Sequence, residues 1–405
     1  MEHKLKKRHY LFAVNHPSQF HMFKNLARKL LDDGNHCVFF IQQRGIIEDL
    51  VKGCGFEYRF AVSPFWREKL KGRIGIFLRG VVHLVQSYYR IMRYCLRNRV
   101  DIMMGTSTAI AHVGWLLRVV SVVFTDDDWY FTKNFCRLAF PFANHIVASN
   151  VIDLGKWNHK RIGYDGNQKT AYIHPAYFRP DRDVLAKYGL EEDRFTIIRL
   201  VTFGAMHDAV NQVQTGLNAG FLEEIIPYLS SIGKVVINAE QGEYPEFSEY
   251  CLKLDPSDMH SLLYYARLLL TDSQSMHVEA GLLGTPSIRT NNWIDSGLNF
   301  NYIDYIEINY GLGVSISPQK PDEVIQKVKE YSQDEVKQQW AKKRDKFFRE
   351  NTNLTDFLYW FVTSYPDSFR EYKMDPQKVL QSFCWEDFMF PADSCTEWAI
   401  LRYRI

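Results

Sequence analysis

The sequence predicts an α/β fold: two mainly parallel sheets covered by helices, facing one another across a cleft, with further helices at the C-terminal end. Three observations carry this. Short apolar runs alternate with amphipathic helical patterns in both halves of the chain. The alternation lapses once, near residues 151–180, as a connection between two units would make it lapse. From residue 321 onward the pattern is helical. Strand–helix alternation favours parallel strands, because each crossover helix returns the chain to the same end of the sheet.

Taken in order, His9–Asn15 reads as a strand, and Gln19–Asp32 as an amphipathic helix with Phe20, Phe23, Leu26, Ala27, Leu30 and Leu31 on one side. Gly34 closes it. Cys37–Gln42 and Phe56–Ala61 are strands, separated by a short helix over Gly45–Lys52. Asp101–Met104, Val119–Thr125 and His145–Ser149 follow as strands, with helices in the gaps. GYDGNQ (Gly163–Gln168) is turn chemistry, and the prolines of YIHPAYFRPD (Tyr172–Asp181) belong to a connection. Alternation resumes with Thr196–Phe203, a helix over Gly220–Ser230, Lys234–Glu240, a helix over Asp258–Ala266, Arg267–Asp272, a helix over Ser275–Leu283, and Pro286–Thr290. Helices are then expected over Pro321–Tyr331, Gln333–Glu350 and Leu354–Ser364. The last 40 residues show no clear period. The expected boundaries are 1–165, 166–330 and a helical extension 331–405.

The 405 residues carry 49 Lys+Arg and 47 Asp+Glu, a formal net charge of +2. With 46% hydrophobic and 24% charged residues, the chain is neither disordered nor a basic nucleic-acid coat. The seven cysteines are scattered and form no C-x-x-C pair, which points to free thiols in a reducing compartment and to no zinc site. No apolar run is long enough to span a membrane, and the basic N-terminus lacks a signal-peptide core. A cytoplasmic protein is expected, with no metal and no nucleic-acid partner.

The most informative stretch is Arg267–Pro286, RLLLTDSQSMHVEAGLLGTP. A buried strand ends at Thr271–Asp272, Ser273 caps a helix, Gly284 ends it and Pro286 blocks continuation. Ligands of open α/β sheets bind beyond the carboxyl ends of strands. The amides of Gln274 and Ser275 would there face an anion such as a diphosphate. Glu279, alone among small and apolar neighbours, needs a partner, and two adjacent sugar hydroxyls suit it. An ordinary capped helix with an exposed Glu has the same pattern.

This segment resembles the nucleotide-binding segment of the UDP-N-acetylglucosamine 2-epimerases and their glycosyltransferase relatives of the GT-B fold. A closer likeness is to a bacterial and archaeal family related to those epimerases. It lies in NHPSQFHMFKNL (Asn15–Leu26), in YIHPAYFRPD (Tyr172–Asp181), and in a strand Arg, Arg199, followed by a His-Asp pair, His207-Asp208. The likeness spans roughly residues 8–315. It implies a GT-B-like pair of Rossmann-like domains, the first for an acceptor and the second for a nucleotide-sugar. Ser273, Gln274 and Ser275 would hold the diphosphate, Glu279 the ribose, His207 would reach phosphate, and Arg199 would belong to the same nucleotide-sugar site. A UDP-linked sugar would be substrate, and no cofactor is implied.

The likeness fails at one point. The epimerases place a catalytic Asp in a G-D-T-T segment after a first-domain strand. Here that segment is MGTSTA (Met104–Ala109), with Thr106 at the Asp position. The paired glutamates of the epimerases have no match either. The next strand ends instead in Asp126, Asp127 and Asp128. His16, in the loop after the first strand, suits the general base that many GT-B glycosyltransferases carry there, with an aspartate of the 126–128 run to orient it. A rigid His-Pro turn and a solvated acidic loop are the plain alternatives.

A glycosyltransferase of cell-surface polysaccharide or glycolipid synthesis, with a glycan or lipid-linked acceptor, is therefore expected. A 2-epimerase-like enzyme is the second reading, and a non-catalytic nucleotide-sugar-binding protein on the same fold the third. Trp66–Arg99 adds nine Lys/Arg and one acidic residue among apolar ones. Such a stretch can lie on the inner face of the cell membrane, as the first domain of such transferases often does, or be a solvated helix edge.

Overall fold

A computed structural model describes residues 7–42, 47–62, 72–200, 217–239, 245–298 and 300–384. The first half runs β1 (His9–Val14), α1 (Pro17–Asp32), β2 (His36–Ile41), α2 (Ile47–Gly53), β3 (Glu57–Phe60), α3 (Gly72–Asn98), β4 (Ile102–Gly105), α4 (Thr108–Leu117), β5 (Val120–Phe124), α5 (Lys133–Ala139), β6 (His145–Ser149) and β7 (Arg161–Tyr164). These strands form one parallel sheet in the order β3-β2-β1-β4-β5-β6-β7. The order reverses between β1 and β4, which opens a crevice at their carboxyl ends. Gly105 is suited to that place. Its φ is +148°, and a Cβ there would lie 2.1 Å from the Ala13 carbonyl oxygen.

Two short helices, α6 (Thr170–Ile173) and α7 (Asp183–Tyr188), lie in the connection. Then come β8 (Phe195–Leu200), α8 (Ala219–Ile232), β9 (Lys234–Ala239), α9 (Met259–Tyr265), β10 (Leu268–Thr271), α10 (Gln274–Leu283), β11 (Ser287–Arg289), α11 (Asn301–Tyr310) and β12 (Val314–Ser315). This second parallel sheet has the order β12-β11-β10-β8-β9, with its reversal between β8 and β10. Strand periodicity serves two cores. Phe195 and Ile197 of β8 join the large core that runs through the first half, and Ile198 and Leu200 join a separate core beneath α8.

The chain ends in α12 (Pro321–Tyr331), α13 (Val336–Glu350), α14 (Leu354–Thr363), α15 (Asp367–Met374) and α16 (Pro376–Gln381). The α14 helix packs on α1 in the first half. Lys29 of α1 pairs with Asp356, and the Arg8 guanidinium donates to the carbonyls of Val362 (2.6 Å) and Tyr365 (2.5 Å). The two-sheet α/β architecture with C-terminal helices is therefore as expected.

The structure departs from the sequence reading in four places. A seventh strand occupies Arg161–Tyr164, inside the expected lapse; it is short, borders only β6 and has no alternation to betray it. The basic stretch holds one continuous helix of 27 residues, α3. The α11 and β12 elements fill residues 301–315, which carried no assignment. Two helices, α15 and α16, lie where no period was visible. Both are too short for a 3.6-residue pattern to repeat convincingly.

Candidate functional site

At the second sheet, Ser273 caps α10. The Ser273 side chain accepts from the Met276 amide at 3.3 Å, and Gly284, in the left-handed region at φ 85°, ends α10. The helix thus begins at the carboxyl end of β10, beside the reversal. Gln274 and Ser275 occupy its first turn and are half-buried. Arg199 ends β8. Its guanidinium donates to the Asn238 carbonyl at 3.3 Å and to the Asn238 side chain. His207 lies outside the described residues.

Glu279 is buried, not exposed. Tyr172 of α6 donates its hydroxyl to Glu279 Oε1 at 2.5 Å, and His260 Nε2 of α9 lies 3.5 Å from Oε2. Burial works to raise the carboxyl's pKa. The contacts with His260, the charge of Lys169 and the Tyr172 hydroxyl outweigh it and hold the group at about 2. Glu279 is therefore ionised at neutral pH. His21 of α1 closes this corner, with its ring centroid 5.5 Å from Tyr172 and 5.3 Å from His260. Burial and the neighbouring His260 keep His21 well below the ordinary histidine range, so it is neutral.

The three successive aspartates separate. Asp126 accepts from Gln168 and lies 3.7 Å from the ammonium of Lys169, a side chain only 1% exposed. Asp127 is half-buried. Desolvation first, then the Asp126 charge, push its carboxyl up to about 8 against the pull of Lys169. Asp128 is fully buried and structural. Its Oδ1 accepts from the Asp153 amide at 2.7 Å and the Asn301 side chain at 2.6 Å, and its Oδ2 from the Asn301 amide at 3.2 Å. It therefore ties the first sheet to the start of α11. Phe131 stacked on Phe300, with centroids 4.2 Å apart, reinforces the same junction.

His16 caps α1. Its Nδ1 hydrogen-bonds Ser18 Oγ at 2.8 Å and accepts from the Ser18 amide at 3.3 Å, while the residue stays exposed. Next to it, Asn15 Nδ2 donates to the Thr106 carbonyl at 2.9 Å. The loops after β1 and β4 thus meet at the first sheet's crevice. The Thr106 hydroxyl donates to the Phe124 carbonyl at 3.1 Å.

The structure draws Asp126, Asp127 and Glu279 into one electrostatic neighbourhood around Lys169. Sequence reasoning missed Lys169, Tyr172, His260 and His21. They come from a turn, a four-residue helix and two further helices; Tyr172 and His21 lie inside the segments YIHPAYFRPD and NHPSQFHMFKNL without a role read for either, and no local signal distinguishes Lys169 and His260. Among the described residues no three His, Cys, Asp or Glu side chains group as metal ligands, and no helix is long and apolar enough to cross a membrane.

The sequence pattern of the DUF354 family, described as a protein of unknown function, matches residues 11–349, and the chain belongs to that family. A search of curated proteins finds no match. The fold is similar to S. aureus MnaA solved with UDP (TM-score 0.59, 12% identity, 89% of this chain and 97% of that one). It is also similar to the UDP-GlcNAc 2-epimerase of Methanocaldococcus jannaschii (TM-score 0.53, 13% identity, 78% and 91%). A glycosyltransferase from Rickettsia africae matches comparably (TM-score 0.55, 14% identity, 89% and 100%). At these identities the likeness establishes the GT-B-like fold.

Proposed function

We propose that this DUF354 protein is a nucleotide-sugar-dependent glycosyltransferase of cell-surface polysaccharide or glycolipid synthesis, working in the cytoplasm. One observation carries the reading: Glu279, six residues beyond the Ser273 cap, is buried yet ionised where α1, α6, α9 and α10 meet. Tyr172, His260 and Lys169 already stabilise its charge within the fold, yet this carboxylate retains acceptor capacity. An ionised carboxylate has about four acceptor positions, and Tyr172 and His260 take two. A ribose diol fits the remainder.

In this reading the amides of Gln274 and Ser275 take the diphosphate, where the helix N-terminus favours negative charge and stabilises the departing nucleotide. Arg199 and His207 supply further phosphate contacts. The acceptor, a glycan or a lipid-linked sugar, enters from the first sheet. His16 or Asp127 takes the proton of its hydroxyl. Raised to about 8, the Asp127 carboxyl is ionised in a minor fraction at neutral pH and is a stronger base once ionised, and Lys169 limits the charge the two aspartates accumulate.

Epimerisation is the second reading, since Asp127 could also accept a proton from carbon. Against it stands Thr106, whose hydroxyl is spent on the Phe124 carbonyl and does not titrate near neutral pH. The direct test is thermal shift with UDP-, GDP-, CMP- and dTDP-sugars, followed by turnover with the best ligand. A specific ligand at a hundred times its Kd stabilises by about 2.7 kcal/mol. A UDP-sugar is expected to give the largest shift. No shift with any of the panel overturns the reading.

A further inference from the structure

Ten large apolar side chains are strongly exposed among the described residues, and seven of them lie on three consecutive helices of the first half. Val81 (43%), Val85 (60%), Tyr89 (54%) and Leu96 (66%) are on α3, Trp115 (64%) and Leu116 (61%) on α4, and Leu138 (50%) on α5. The first three recur every fourth residue and so form one stripe along α3, while Ser87, Ile91 and Cys95 turn inward. The helices adjoin. Tyr88 hydrogen-bonds His112 Nδ1 at 2.5 Å, His112 Nε2 bonds the Leu138 carbonyl at 2.7 Å, and Trp115 meets Phe142 edge-on at 5.5 Å.

Charge on this layer is one-sided. The sequences of α3, α4 and α5 hold seven Lys/Arg and no Asp or Glu, in a chain whose net charge is only +2. Arg93, Arg97, Arg118, Lys133 and Arg137 are exposed around the apolar residues. None of them enters an ion pair with another described residue. A solvated helix edge would not need three adjoining helices to expose Val, Leu and Trp, and a water-facing patch of that kind marks a contact surface.

We infer that the α3–α5 layer docks on the surface of an anionic phospholipid bilayer. The apolar stripe enters the headgroup boundary, Trp115 sits at that interface, and the surrounding arginines and lysines meet lipid phosphates. The contact is superficial, since no helix of the described residues is long and apolar enough to cross. It goes beyond the sequence expectation for residues 66–99: α4 and α5 contribute Trp115, Leu116 and Leu138, while Trp66–Lys71 lie outside the described residues. The inference uses none of the nucleotide-site residues, so it fails or stands apart from the transferase reading.

The test is co-sedimentation of the full chain with phosphatidylglycerol-containing vesicles and with phosphatidylcholine vesicles. Binding to the anionic vesicles alone, reversed by salt, is expected. The double variant Val85→Glu, Trp115→Glu should lower partitioning roughly tenfold or more. Both substituted side chains are exposed, so the melting temperature should hold. Arg93→Gln with Arg97→Gln, a milder pair, should weaken binding in the same direction. Absence of binding to anionic vesicles at low salt overturns the inference. So does equal binding by the double variant. A wild type that forms dimers broken by Trp115→Glu, with no vesicle binding, would assign the face to a second copy instead.

Discussion

The Tyr172 hydroxyl donates to Glu279 across 2.5 Å, so the connection between the two sheets holds a carboxylate in the middle of α10. Both groups are buried, and His21 of α1 lies against the same tyrosine ring. A ligand that engages Glu279 would thus be felt by both halves. Glu279→Gln keeps an oxygen for Tyr172 and removes the charge. We expect it to weaken nucleotide-sugar binding by about 1.5–3 kcal/mol, and to lower the melting temperature, since it also removes the charge that His260 and Lys169 face. Calorimetry showing unchanged affinity for the best ligand of the panel would remove Glu279 from the site.

Asp128 gives a separate prediction, because it is a tie and not a ligand group. Asp128→Ala strips the acceptor from two backbone amides and one side chain at the junction with α11. Each buried donor left unsatisfied costs about 1–3 kcal/mol, so a loss of roughly 2–4 kcal/mol is expected in urea unfolding. Asp128→Asn, which keeps one acceptor oxygen, should lose less. A change below about 0.5 kcal/mol, the size of an ordinary surface substitution, would contradict the bridging role.

Much of this architecture is legible locally. The apolar run Leu268–Leu270, the Ser273 cap and Gly284 mark β10 and α10 almost to the residue, because caps and buried strands are short-range physics. The Arg161–Tyr164 strand was not legible, since an edge strand of four residues has no period to read. The site is harder still. Asp126, Lys169, His260 and Glu279 are far apart in sequence and meet only through the crossovers of two sheets. The triple aspartate shows the limit well: adjacent in sequence, Asp126 and Asp128 turn to different partners, the linker and α11.

Acid should destabilise the protein through its buried histidines. Burial lowers His145 and His174 to about 4, helped at His145 by Lys373 and Lys160. Between pH 6.5 and 4 the unfolded chain binds these protons and the folded chain does not. Stability from each is complete above pH 6.5 and is lost as pH falls, by at most roughly 3 kcal/mol per histidine at pH 4. Asp127, raised in the folded state, works the other way over the same range. The comparison of wild type with His145→Gln isolates one term. The variant should gain on wild type as pH falls from 7 to about 4. Parallel stability curves would mean that His145 does not titrate as its burial requires.

The reaction itself separates the two enzymatic readings. Transfer needs a bound donor, a base for the acceptor hydroxyl and stabilisation of the leaving diphosphate; this chain has a candidate for each in Glu279, His16 or Asp127, and the α10 N-terminus. Epimerisation at C2 needs a group that removes a carbon-bound proton, and others that assist loss and return of the nucleotide. Thr106 cannot supply the first, since its hydroxyl stays protonated and already donates to Phe124. Incubation with UDP-N-acetylglucosamine in heavy water should therefore leave C2 free of deuterium, while slow donor hydrolysis or transfer proceeds. His16→Ala should slow that reaction by roughly 10²–10⁴-fold if the imidazole is the base. His16 also caps α1, so His16→Asn, which restores a cap but no base, must be equally slow. If His16→Asn recovers the rate, His16 acts only as a cap, and Asp127 becomes the base to test next. Rapid deuterium entry at C2 would overturn the transferase reading and make the protein an epimerase, with Asp127 the first residue to test as the group that takes the proton.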